Sequence, residues 1–349
     1  MPRMMGELRR LNIEWNSLVT IAHQHGIRRV ILADLNNRVV AVRPRAHFQM
    51  QRIEARARVA ALRASVAVFF APNQSTAFVA GLEDTFGVEI EAIIRPSPGI
   101  LVQAVRDAGI LCEEEGYNHT TRTWWKLTTD ASLSDYHHGR EMVSPPLRGT
   151  AGFETLRKVA TVMTTMGCEA NLRCGLHVHV GIARHTGRIE TFKNLILMMI
   201  KWDLAFDSFM APSRRRGGSA SAWARPVAIA NRDLFDRVTT LNELATSIGQ
   251  LSSASPRSPY RYYKMNMMAI RQSQTIEFRQ HQGTTDPVKI AMWVRLVLRM
   301  VDVASRVTQS DVAVQADNLE SLLTFAGCDD DEKNYFIRRR DEFANRRAA

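Results

Sequence analysis

Three short segments place ionisable side chains at alternate positions within otherwise apolar runs. In an extended chain residues i and i+2 point the same way, roughly 7 Å apart, so such a run has one packed face and one chemical face. Phe86-Gly87-Val88-Glu89-Ile90-Glu91-Ala92 puts Glu89 and Glu91 on one side and Val88 and Ile90 on the other. Two carboxylates at that spacing can hold a divalent cation, whose charge offsets their mutual repulsion. Cys174-Gly175-Leu176-His177-Val178-His179-Val180-Gly181 does the same with His177 and His179, and its bounding glycines allow close backbone approach. Two imidazoles so close invite a metal or anionic groups. In Thr275-Ile276-Glu277-Phe278-Arg279-Gln280-His281, strict alternation places Glu277, Arg279 and His281 together. A carboxylate, a guanidinium and an imidazole suit a site that holds both a metal and a phosphate, which Arg grips bidentately.

Each segment alone has an ordinary reading: a solvent-facing strand, a hydrogen-bonded histidine pair, an Arg–Glu ladder. Together, on one sheet, they make a surface too polar for a core and too rich in ligands for decoration. Its hard carboxylates argue for Mg²⁺ or Mn²⁺, and the arginine argues for phosphate.

The elements that position these strands follow from periodicity. Helical spacing recurs over 153–166, over 189–210, where Phe192, Leu195, Ile196, Met199, Trp202 and Phe206 trace a core stripe, and over 288–307. Residues 211–226, with Gly, Ser, Pro and an Arg triplet, read as a mobile loop, and Arg214 to Gly218 within it as a segment able to close over substrate. A second loop is expected at 252–259. Residues 1–82 read as a small αββα-like unit, with two β-branched runs flanking Asn36-Asn37. The expected organisation is a basic N-terminal unit over 1–82, a catalytic domain over 83–331 and a basic C-terminal tail over 332–349.

The chain of 349 residues is strongly basic, at +11. The excess is uneven: residues 1–82 hold twelve Arg and no Lys against four acidic residues, 332–349 carry a net +3, and 83–331 balance at zero. A polyanion or nucleic-acid contact is therefore expected of residues 1–82, not of the central part. The longest apolar run, about a dozen residues from Val59 to Pro72, contains Arg63, whereas a span needs roughly 20 uncharged residues, so no membrane contact is expected. The N-terminus shows no apolar signal core, and four cysteines without a CxxC suit a reduced cytoplasm.

At these residues the sequence resembles the amidoligase family, a branch of the carboxylate-amine ligases related to glutamine synthetase and glutamate-cysteine ligase. The segments run in order: FGVEIEA (86–92), WKLTTDASL (125–133), EMVSPPLRG (141–149), CGLHVHVG (174–181) and TIEFRQHQGT (275–284). One departure is Ala131, where the family usually has Gly after the Asp. The resemblance implies an α+β fold with a curved, mainly antiparallel sheet, its concave face the active site and its helices on the convex side. It also implies ATP-dependent formation of an amide or peptide-like bond between small-molecule or peptide substrates. Glu89 and Glu91 match the paired metal carboxylates, Glu141 a further acidic position, His177 the metal- or phosphate-facing histidine, Glu277 the late metal ligand and Arg279 the phosphate-binding arginine, with His179 beside His177.

ATP would phosphorylate a carboxylate and an amine would displace the phosphate, so Mg²⁺ or Mn²⁺ held by Glu89, Glu91, Glu141, His177 and Glu277 would bridge phosphates while Arg279 stabilises developing charge. Asp130 or Glu141 serves as base, and the residues alone do not choose between them. Lys126, Arg271, Asn266 and Tyr262 are candidate contacts to nucleotide or substrate. Two other readings compete. Cys168, Cys174, His177 and His179 can be written as the ligands of a zinc hydrolase, although Cys174 lies three residues before His177 and so points to the opposite face. The basic ends also suit a nucleic-acid-binding protein with an inactive core.

Overall fold

The alternation read from the sequence builds the sheet. Val88, Ile90, Ala92, Leu176, Val178, Val180, Ile276 and Phe278 are each at most 1% exposed, and burying one face of each strand fixes its register, because a one-residue slip would expose all of them. The computed structural model describes residues 82–133, 138–251 and 261–348. Among these, seven strands form one sheet in the order β2-β3-β4-β1-β5-β7-β6. They are β1 (Phe86–Ile93), β2 (Cys112–Glu114), β3 (Trp125–Thr128), β4 (Gly139–Val143), β5 (Leu176–Gly181), β6 (Met265–Asn266) and β7 (Thr275–Phe278). Every pair is antiparallel except β2 with β3. The class is α+β, as expected.

The helices are α1 (Pro98–Asp107), α2 (Gly149–Thr165), α3 (Ile189–Lys201), α4 (Asp203–Phe209), α5 (Arg232–Arg237), α6 (Leu241–Ser247), α7 (Ala269–Ser273), α8 (Pro287–Ala304), α9 (Gln309–Ala313), α10 (Leu319–Phe325) and α11 (Asp330–Ala348). The longest buried one, α8, starts where Asp286 caps the amides of Val288 and Lys289 and Pro287 occupies the first turn. Its stripe of Ile290, Trp293, Val294, Val297, Leu298 and Val301 is buried, and the helix packs on β5, α2 and α3.

Three expectations change. The helix over 189–210 is two helices, because Trp202 turns out of helical geometry, buries its indole and donates from Nε1 to the Ala316 carbonyl at 2.8 Å. The basic tail expected over 332–349 is, as far as residue 348, the helix α11, which joins the core: the Phe336 ring packs tilted against Phe209, Arg339 Nε donates to the Phe209 carbonyl at 2.9 Å and Glu332 pairs with Arg299 at 2.7 Å. A basic helix joins a core when its few apolar and paired residues face inward and the remaining charge stays in water.

The segment 211–226 is not a mobile loop either. Arg214 is 3% exposed, with Nη2 donating to the Cys174 carbonyl at 2.6 Å and to that of Arg173 at 3.1 Å. Arg216 is held by Asp203 and, through its backbone amide, by Asp207. Both acids also clasp Lys264, itself 1% exposed. A side chain at Gly218 would put its Cβ 2.3 Å from the Pro212 carbonyl oxygen, so the turn closes only around glycine. The N-terminal unit expected over 1–82, with its polyanion contact, lies outside the described residues apart from Leu82, as does the loop at 252–259. No helix among the described residues is long and apolar enough to cross a membrane.

Candidate active site

The strand registers bring the chemical faces into rows across the sheet. Thr128, Glu141 and Glu91 face one another across β3, β4 and β1, and Glu89 stands opposite His177 on β5. His179 stands opposite Glu277 on β7, which in turn faces Asn266 on β6. Residues directly opposite in an antiparallel pair share a face and lie about 5 Å apart, so side chains distant in sequence are forced together.

The side chains then interlock. His177 is ringed by carboxylates: Nδ1 donates to Glu89 Oε2 at 3.1 Å and lies 3.6 Å from Glu277 Oε1, while Nε2 is 3.7 Å from Glu91 Oε1. His179 Nε2 is 3.3 Å from Glu89 Oε1, and its Nδ1 pairs with the Thr275 hydroxyl at 2.8 Å. Glu277 accepts from Asn266 Nδ2 at 2.6 Å and is paired with Arg279. Glu91 accepts the Gly175 amide at 2.6 Å.

Charge sets the protonation states. Burial alone would raise Glu89, but His179 and His177 outweigh it and hold its carboxyl well below the ordinary value. Burial likewise opposes Glu277, and Arg279 with the two histidines keeps it low. Glu141 goes the other way: burial first, then the charges of Glu89, Glu91, Asp130 and Glu277, push its carboxyl well above the usual range. Burial also raises Glu91, His177 only partly offsetting it. His179 is raised because Glu89 overcomes its burial. Five carboxylates facing Arg279, Arg214 and two imidazoles carry negative charge that a bound cation offsets.

Three overlapping sets bring one ligand atom from each residue within 4.8 Å of the others: Glu89, Glu141 and His177; Glu89, His179 and Glu277; Glu91, Asp130 and Glu141. No cysteine joins them. Cys174 Sγ is turned to Asn171 Oδ1 at 3.4 Å, and burial pushes the Cys168 thiol up to about 12. Donor sets of carboxylate oxygens with at most one imidazole each suit Mg²⁺ or Mn²⁺ better than a soft-ligand zinc site.

Not every candidate joins the cluster. Lys126 is buried and directs its ammonium donors to Asn118 O, Asn118 Oδ1 and Thr120 O, each at 3.0 Å, which fastens the preceding loop. Arg271 is exposed on α7 and bonds Asn242. His281 does not share the face of Glu277 and Arg279. β7 ends at Phe278, so alternation no longer governs beyond it. The His281 ring lies over Trp293, 5.6 Å between centroids, its Nδ1 donates to the Gln282 carbonyl, and burial drives it well toward the neutral form. Asp130, in contrast, is drawn in beside Glu91 and Glu141.

Three contributors escaped sequence reasoning. Thr275 orients His179, and Arg214, read as part of a loop, acts electrostatically on Glu91. Gly175 was legible as a bounding glycine, but not its task. A Cβ there would sit 2.7 Å from His177 Nε2 and 3.5 Å from Glu91 Oε2. Gly175→Ala is therefore expected to displace the imidazole and weaken Mg²⁺ or Mn²⁺ binding at least tenfold while leaving the fold intact, as calorimetric titration with thermal melting would show. Unchanged metal affinity would count against this packing role.

A search of curated proteins returns no match. Among solved structures, a bifunctional glutathione synthetase from Pasteurella multocida is similar with 11% identity and a TM-score of 0.38, over 79% of this chain and 50% of that one. This chain thus spans about half the length of that protein. A structure described as a novel glutamine synthase homolog is similar with 16% identity and a TM-score of 0.34, over 84% of this chain and 71% of that one. A family profile described as "Putative amidoligase enzyme" matches residues 82–301, which contain all seven strands and every member of the carboxylate and histidine cluster. With well over half of its length matched, the chain belongs to the amidoligase family.

Proposed function

We propose that this protein is an ATP-dependent carboxylate-amine ligase that forms an amide or peptide-like bond through an acyl phosphate, in a reducing cytoplasm. The observation that carries this reading is the sheet face on which Glu89, Glu91, Glu141, Glu277, His177 and His179 meet, joined at its edges by Asp130 and Arg279. That donor set fits divalent cations: Glu89, Glu141 and His177, Glu89, His179 and Glu277, and Glu91, Asp130 and Glu141 would hold them. When bound, Mg²⁺ or Mn²⁺ supplies charge neutralisation and orientation of the phosphates. Arg279, whose guanidinium stays charged next to Glu277, stabilises charge on the transferring phosphoryl group. His179, whose Nδ1 is held by Thr275, keeps its Nε2 beside Glu89 for the second ligand set, on the side that faces the nucleotide phosphates.

The acid substrate attacks the γ-phosphorus, ADP leaves, and the amine then displaces phosphate from the acyl carbon. The amine must lose a proton. Asp130 is the better base: it is half-exposed at the edge of the cluster, so its proton can pass to water, whereas Glu141 is buried among carboxylates that push its carboxyl above the usual range. The zinc-hydrolase reading is disfavoured by the absence of cysteine from the candidate clusters among the described residues. Any polyanion contact is assigned to residues 1–82, since 83–331 carry no net charge.

The decisive experiment is a mass-spectrometric screen of acid and amine pairs for product lighter than their sum by one water, formed only with Mg-ATP. We expect EDTA to abolish turnover and Mg²⁺ or Mn²⁺ to restore it. Turnover that needs stoichiometric zinc, or product formed without ATP, would sink the reading.

A further inference from the structure

Beside Arg279 the site opens onto an aromatic and cationic wall that the metal cluster does not explain. Trp223 is 48% exposed, an unfavourable place for an indole, since burying a side chain of this size stabilises by about 1.5–3 kcal/mol or more. It is nevertheless held there. Its amide bonds the Ala220 carbonyl, and the strand-like segment after it is fixed to β6's approach by Arg225 N to Tyr262 O at 2.9 Å and Lys264 N to Arg225 O at 2.8 Å. The indole meets Tyr262 edge to face, with ring centroids 4.8 Å apart and planes at 83°.

Tyr262 is in turn flanked by two guanidiniums. The Cζ of Arg279 is 5.8 Å from its ring centroid and that of Arg261 5.1 Å, with Arg261 Nη2 also 3.2 Å from the phenol oxygen. Arg279 keeps its Nε buried without an acceptor. Arg279 and Arg261 thus place two guanidiniums at this end of the site. An exposed, rigidly held indole next to a cationic tyrosine wall has the chemistry to stack a planar ring and neutralise negative charge on it.

We propose that Trp223, Tyr262 and Arg261 form a recognition platform for a planar aromatic anion at the Arg279 end of the active site. The platform deepens the ligase reading by naming the class of molecule received there. Two sources combine a planar ring with negative charge in one molecule: an aromatic carboxylic acid as the substrate, charged at its carboxylate, and the nucleotide, whose neutral adenine would stack while its phosphates carry the charge. Trp223 acts through ring stacking, so an aromatic replacement retains the effect and an aliphatic one of similar bulk does not.

The test is binding of 2-naphthoate, with its saturated counterpart decahydro-2-naphthoate, to the full chain, read by calorimetry without ATP. We expect 2-naphthoate to bind at least tenfold more tightly than the saturated acid, Trp223→Leu to erase that preference and Trp223→Phe to keep most of it. Competition with Mg-ATP separates the sources. If 2-naphthoate remains bound at saturating ATP, the platform serves an acid substrate; if ATP displaces it and Trp223→Leu weakens ATP binding, it serves the base. Equal binding of the two acids, or a preference untouched in Trp223→Leu, overturns the platform. Because this assay requires no turnover, it is independent of the water-loss screen, and a negative result in either leaves the other to stand or fall alone.

Discussion

Replacing Glu277 with Gln or Arg279 with Ala is expected to lower Mg-ATP turnover by at least a factor of about 10²–10³, the loss typical when one preorganised charge-stabilising group is removed. Both residues sit where β7 meets β5, and both are shielded from water. Glu277 is the junction of the second ligand set: it closes the group with Glu89 and His179, accepts from Asn266 and pairs with Arg279. Gln keeps the shape and one acceptor but removes the charge that a cation and Arg279 both require. Removing one member of a buried pair also costs stability, about 3–5 kcal/mol where nothing else compensates. Here Glu89 and Glu91 also act on Arg279, so the fold is expected to survive. The readout is ADP release at saturating Mg²⁺, with thermal melting as the control for folding. Variants that melt like the parent and also turn over like it would refute the site.

Glu141→Gln should split function from stability. In the metal-free protein burial and four neighbouring carboxylates raise Glu141 above its unfolded value. The folded state therefore holds a proton that the unfolded chain gives up near its ordinary pKa of about 4.3, and stability falls as pH rises between the two values. Gln removes that penalty. Without metal, Glu141→Gln is expected to melt higher than the parent at pH 8, by about 1–2 °C for each kcal/mol relieved in a chain of this size, and by much less near pH 4. With Mg²⁺ the order reverses, because the parent gains a bound cation through Glu141 and the variant loses it from two ligand sets. Glu89 and Glu277 oppose this trend: their lowered values contribute stability above the unfolded pKa that is lost in acid, so the parent is expected to weaken again below about pH 4. A variant that gains nothing at pH 8 without metal would show that Glu141 is not strained by its neighbours.

The same site illustrates where reading by alternation succeeds and where it stops. Glu89, Glu91, His177, His179 and Glu277 were legible because each lies inside a regular strand, where period two is enforced by burial of the intervening apolar residues. His281 was misplaced because it lies beyond the end of β7. Lys126 was legible only as a candidate contact within the WKLTTDASL segment, and its surroundings show that its donors are committed to the backbone and side chain of the 118–120 segment. Arg214 and Trp223 sit in a stretch rich in Gly, Ser and Pro that reads as loose chain. Their fixed positions come from the Arg173 and Cys174 carbonyls, which hold Arg214, and from Tyr262, which Trp223 meets edge to face, contacts distant in sequence.

The amino-acid sequence by itself determined the α+β class, the chemical face of each of the three central strands and the family, because local periodicity and short motifs are properties of neighbouring residues. The tertiary structure alone decided which of those faces meet, that Asp130 joins them while His281 and Arg271 do not, and that a tryptophan from a loop stands near Arg279. The reason is physical: strand order and register are selected by long-range burial of the apolar faces. The protonation of Glu141 depends on four carboxylates carried in from other segments, and no window of sequence contains that sum.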